Sequence, residues 1–166
     1  MSERHMLSFA MGARRFNYRV AAVVVRDNHV LVCREDEDDY AMLPGGRVEL
    51  GERSDIALAR EIAEEMAVPG AVGRLLFTSE SFYGRDDEAF HELSLFYAAE
   101  VPDFAGPGGA DPVLVREDEG HVLQFSWVAL DPAALRARRL LPDWLCDRLM
   151  ALPEAVEHVI VDELGA

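Results

Sequence analysis

The chain has 166 residues, half of them hydrophobic and 28% charged, with 31 acidic against 16 basic residues and a net charge of −15. That length suits one domain with a core large enough to need no disulfide staples. The acidity argues against a broad footprint on duplex nucleic acid or an anionic membrane surface, both of which need clustered Lys and Arg. By itself it fits either a well-solvated surface or carboxylates gathered for divalent cations.

Cys33 and Cys146 lie far apart among apolar neighbours, which predicts two packed thiols in a reducing, cytoplasmic setting. The N-terminal residues lack the apolar stretch and small-residue cleavage site of an export signal. The longest apolar run, residues 20–25, is too short to span a bilayer.

Residues 18–34 read as a hairpin. Its first strand is a continuous β-branched run at 20–25, as expected for burial on both faces. Asp27-Asn28 marks the turn, and residues 29–33 return. Tyr18 and Arg19, just before the first strand, are candidates to hold a base or a phosphate. The charge run at 34–39 predicts a loop, and Leu43-Pro44-Gly45-Gly46 breaks regular structure. A helix is expected at about residues 55–67, with Ser54 as its N-cap. Residues 72–83 and 90–100 read as strands around a polar tip. A Gly/Pro-rich loop at 102–112 and an irregular acidic stretch at 113–120 follow. Residues 122–130 form another strand. Asp131-Pro132 and Pro142 each open a helix, placing C-terminal helices at about 132–155. The tail at 156–161 fits a strand or a helix end. This order of elements implies an α/β (α+β) sandwich.

The helix carries the chemistry. Leu58, Ile62 and Met66, four apart, form its buried stripe, and Glu61, Glu64 and Glu65 share the opposite face. Like charges so spaced cost about 0.2–0.5 kcal/mol per pair. Arg60 is the one cation within the helix. A hard divalent ion would reverse that repulsion, and the adjacent Gly45-Gly46 turn would let backbone approach a ligand closely. Spacing alone leaves two readings open, a metal–phosphate platform and a solvated acidic face.

Gly46, Glu52, Arg60, Glu61, Ile62, Glu64, Glu65 and Val68 fall in the register of the Nudix box, and the stretch resembles that of Nudix hydrolases. Ala67 stands where the family has Gly. A left-handed Ala there costs about 1–2 kcal/mol, and no ligand position is lost. The resemblance covers about residues 17–140. It implies a single Nudix domain over 1–166, an α/β/α sandwich with a mixed β-sheet, and Mg²⁺-dependent hydrolysis of a diphosphate linkage in a nucleoside diphosphate derivative.

By the same resemblance Glu61, Glu64 and Glu65 would hold Mg²⁺, or Mn²⁺ as an alternative. Glu52 and a backbone carbonyl at Gly45 or Gly46 would support them, and Arg60 would position the carboxylates. The general base would be a box glutamate or a carboxylate of the segment Glu117-Asp118-Glu119, with Glu119 preferred. Tyr18, Arg19, Gly45 and Gly46 would face the substrate. A non-catalytic nucleotide-binding or regulatory module of the same fold is the alternative. A homodimer is the default assembly.

Overall fold

The computed structural model describes residues 4–165. Along the chain run β1 (Ser8–Met11), β2 (Arg14–Val23), β3 (Val25–Arg26), β4 (His29–Glu35), β5 (Gly45–Arg47) and α1 (Ser54–Met66). They are followed by β6 (Ala71–Arg85), β7 (Glu88–Glu100), β8 (Leu114–Asp118), β9 (His121–Ala129), α2 (Pro132–Ala137), α3 (Leu145–Arg148) and β10 (Glu157–Asp162). The described residues form two sheets. A six-stranded sheet has the order β1-β2-β7-β6-β10, with β5 also on β2, and a four-stranded sheet has the order β3-β4-β9-β8. The larger one is mixed: β2 runs parallel to β7 and β10 parallel to β6, while its other pairs are antiparallel.

Burial alternates along the β-branched run. Val20, Ala22 and Val24 join Leu31, Leu58, Ile62 and Phe125 in a core against α1. Val23, Val30 and Val32 join Phe77, Leu135 and Leu145 in a second core against α2 and α3. A strand covered on both faces needs apolar residues at successive positions, and the run at 20–25 supplies them until Val25, which is exposed. The result is the expected sandwich, with helices outside and sheets between.

The expected hairpin is corrected in its pairing. The run does not fold back on itself as one strand; the chain leaves the larger sheet at Val24, and only Val25 and Arg26 pair with Val30 and His29. The turn itself is as read: Asp27 (φ 48°) and Asn28 (φ 59°) take the left-handed pair that suits a tight hairpin.

Helix α1 begins at Ser54, and Ser54 is not its cap. Arg53 holds the cap position with extended backbone and no side-chain cap bond. The Ser54 hydroxyl instead lies 2.7 Å from the Tyr97 hydroxyl on β7, a partner that local sequence does not reveal. At the far end Ala67 adopts φ 56° and ψ 23°, and its N–H donates to the Ala63 carbonyl at 3.2 Å. Ala therefore makes the left-handed cap that Gly would make more cheaply.

Two further expectations change and an open one is resolved. Residues 113–120 are not irregular, because β8 pairs antiparallel with β9 through Glu117↔Val122 and Asp118↔His121. The helix opened by Pro142 is confined to Leu145–Arg148, since residues 151–156 carry the chain to the edge of β6. The ambiguous tail is strand β10, with Val159 and Val161 half-buried and His158 and Ile160 exposed. Asp131 does cap α2, accepting from the Ala134 N–H at 2.9 Å with Pro132 in the first turn. No helix among the described residues is long and apolar enough to cross a membrane.

Candidate active site

The site is built where α1 crosses β5. Val20 pairs with Gly46, and the buried stripe Leu58-Ile62-Met66 fixes α1 over that position. The polar flank of the helix is thereby pressed against the two glycines. A Cβ on Gly46 would come within 2.4 Å of the Glu61 carboxylate. Gly45, at φ 149°, is closed in by backbone: a Cβ there would lie 2.1 Å from the Val20 carbonyl oxygen. Both positions require glycine, one to leave room for a carboxylate and the other for the sheet.

Arg60 organises the acids. Its Nε and Nη2 donate to the two oxygens of Glu52 at 2.9 and 3.0 Å, the fork geometry that suits a carboxylate. Its Nη1 donates to Glu61 at 2.7 Å and Glu64 at 3.1 Å, and Nη2 also reaches the Arg47 carbonyl at 3.2 Å. The side chains of Glu52 and Glu61 are only 15% and 13% exposed, so these bonds carry more weight than surface pairs, whereas Glu64, at 37%, is open to solvent. Glu65 stands apart from Arg60 and accepts from the Gly45 N–H at 3.3 Å.

The electrostatics divide the carboxylates. The Arg60 guanidinium beside Glu52 holds its carboxyl below the ordinary value. Glu61 is raised by burial despite Arg60. Glu65 is pushed up to about 8, first by burial and then by the Glu61 charge, with Arg19 opposing and Asp118 adding to the rise. Glu61 and Glu65 are thus held near each other where their charge is poorly solvated, the situation a cation relieves. The donors are all hard oxygens, which suits Mg²⁺ or Mn²⁺. The residues present fit such an ion. The helix glutamates are nonetheless spread around Arg60 and Gly45. Among the described residues, the compact trio of ligand atoms, all within 4.8 Å of one another, is Glu35, Asp36 and His121 at the exposed end of the smaller sheet.

The other sequence candidates fall as follows. Glu119 (φ 47°) occupies the exposed β8–β9 turn beside His121, and its neighbour Asp118 is the residue of that segment whose charge bears on Glu65. Tyr18 packs against the core under α1. Arg19, one residue on, emerges on the opposite face of β2 and lowers the pKa of both Glu61 and Glu65.

Sequence reasoning missed several residues. Glu49 donates its N–H to Glu52 at 3.1 Å and pairs with Arg4, which also reaches Glu64 at 3.2 Å. Arg47 lies directly opposite Arg19. Its position two residues before Glu49, inside a segment otherwise acidic, was the available signal for Arg47; nothing local pointed to Arg4.

A model of the NUDIX domain family matches residues 16–145. A curated Bacillus subtilis (strain 168) protein, "Putative ADP-ribose pyrophosphatase YjhB", is 30% identical over 93 residues, 55% of this chain and 45% of that protein. The match therefore spans less than half the length of that relative. Among solved structures, the E. coli ORF135 protein aligns with TM-score 0.53 at 24% identity, over 86% of this chain and 94% of that one. The MutT protein of Bacillus halodurans aligns with TM-score 0.56 at 13% identity, over 89% and 91%. These likenesses show the fold. With the family match across most of the chain and the box residues assembled between β5 and α1, the chain belongs to the NUDIX domain family.

Proposed function

We propose that this protein is a pyrophosphohydrolase that uses Mg²⁺, or Mn²⁺, to cleave the diphosphate linkage of a nucleoside diphosphate derivative. The observation that carries the reading is the packing of Glu61 against Gly46 and of Glu65 onto the Gly45 N–H, beside the Arg60-held acids. Glu61, Glu64 and Glu65 would hold the cation, with Glu52 and the Gly45 carbonyl in support. When bound, such an ion neutralises charge on the phosphoryl oxygens and acidifies the attacking water.

The chain's own groups do the rest. Arg60 draws Glu52, Glu61 and Glu64 into one cluster beside the glycine turn. Gly45 and Gly46 keep the floor of the site free of side chains. Arg19 brings positive charge to the same region. A carboxylate takes the proton of the attacking water. A glutamate of α1 is one candidate, and Glu119 of the β8–β9 turn is the second. With Cys33 and Cys146 both free, the reading keeps a reducing, cytoplasmic setting.

ADP-ribose is the first substrate to test, because YjhB is described by that activity. Product release from ADP-ribose, nucleotide sugars and nucleoside triphosphates is measured with Mg²⁺ and with chelator. Metal-dependent turnover of one class is expected. Tight binding without turnover of any would favour the non-catalytic alternative.

A further inference from the structure

We propose that a second copy of this chain docks on the half of the larger sheet that α1 leaves bare, forming a symmetric dimer. The proposal is independent of the hydrolase reading.

Strand register assembles the face. Phe9 is opposite Phe16, Phe16 opposite His91 and His91 opposite Phe82, so four rings stand in one row across β1, β2, β7 and β6. Their centroids are 5.4, 5.4 and 4.5 Å apart in that order. Phe16 lies four residues before Val20 on β2, so the row shares the side of the sheet that packs on α1. None of the four rings belongs to either core. Phe9 is 49% exposed, and Met11 and Ile160, in the rows on either side, are 76% and 63% exposed. Contiguous apolar surface of this kind marks an interaction site.

The composition of the face narrows the partner. The chain carries a net charge of −15, yet charge in these rows is confined to Arg14, Glu80 and the edge residue Asp162. Asp162 accepts from the N–H groups of Leu164 and Gly165. Aromatic and Met side chains in place of charges are the signature of the centre of a protein interface. One arginine is too little positive charge for a nucleic-acid strand stacked on the rings or for an anionic membrane.

The two central charges select a second copy. Arg14 is opposite Ala89 and Glu80 is opposite Leu93. Each is therefore one strand and two residues from His91, in opposite directions. Among the described residues neither has an ion-pair partner. A two-fold axis lying in the face at His91 exchanges the two positions, so that Arg14 meets the partner's Glu80 twice over, as an isologous interface requires. Five strands and three rows of outward residues give a footprint of about 500 Å² per copy. About 1,000 Å² in total is the lower bound for a specific interface and suits a reversible dimer.

The test is sedimentation velocity of the full chain over a range of concentrations. Wild type should be dimeric at about 100 μM and dissociate on dilution, as an interface of this size implies. Arg14→Glu and Glu80→Arg should each weaken association at least about tenfold, and the double variant Arg14→Glu/Glu80→Arg should return to within about threefold of wild type. Phe9→Ser, at a half-exposed edge position, should weaken association at least about tenfold with an unchanged circular dichroism spectrum, and it decides the matter if a charge reversal does not fold. A monomeric wild type at about 100 μM would overturn the proposal. So would a dimer indifferent to Phe9→Ser, or two weakened single reversals with no recovery in the double variant.

Discussion

Gly46 lies against the carboxylate of Glu61 so closely that a single added methyl would come within 2.4 Å of its oxygen. Gly46→Ala should therefore displace Glu61, whose carboxylate is the mobile end of a flexible side chain. Turnover should fall about 10²-fold, comparable to losing one preorganised charged contact, with little change in melting temperature. Gly45→Ala should behave oppositely. Its Cβ would meet the Val20 carbonyl oxygen at 2.1 Å from a backbone at φ 149°. Loss of soluble folded protein is expected, read by circular dichroism and expression. Equal stability of the two variants would contradict this division.

Glu65→Gln separates charge from shape. The amide can still accept from the Gly45 N–H, and it removes a carboxyl whose pKa is raised to about 8. Turnover should drop at least about 10²-fold while the metal-free protein melts at or above the wild-type temperature at pH 8. Near-normal rates in this variant would remove Glu65 from the cation site.

The same shift gives a pH dependence. A folded-state pKa above the unfolded value means that the folded chain holds the proton more tightly. Its contribution to stability is therefore complete below the ordinary carboxyl value of 4.5 and is lost as pH rises through about 8. Glu61, raised in the same direction, adds to the effect. Metal-free protein should lose stability over that window, and saturating Mg²⁺ should flatten the slope. Calorimetry of Mg²⁺ binding at pH 7 in buffers of different ionisation enthalpy should register proton release. No buffer dependence would contradict a raised carboxyl at the site.

Arg60→Ala leaves Glu52 and Glu61 largely shielded from water without their counter-charge. It should destabilise by about 3 kcal/mol or more and abolish turnover, measured by urea unfolding. Arg60→Lys keeps the charge but not the fork to Glu52, and should recover part of the stability. A fully stable Arg60→Ala would mean that the acids are held by something else.

The box was legible because its residues are local: helix periodicity fixes which face Glu61, Glu64 and Glu65 share, and no distant partner is needed to know it. The run at 20–25 revealed its two-sided burial for the same reason. What stayed hidden depends on partners far away in sequence. Ser54 looks like a cap until Tyr97 claims its hydroxyl. Residues 114–118 read as an acidic loop because Arg116, Glu117 and Asp118 carry no apolar alternation, and pairing with β9 makes them a strand. Arg4 reaches Glu64 from sixty residues away, and Arg47 meets Arg19 only through a three-residue strand at a glycine turn.

The most direct measurement is Mn²⁺ binding by electron paramagnetic resonance in the presence of pyrophosphate, on wild type and on the Glu61→Gln/Glu65→Gln double variant. Wild type should bind the ion tightly, and the double variant should lose that binding while remaining folded. Equal Mn²⁺ affinity in the two proteins would show that the acids of α1 are not the cation site.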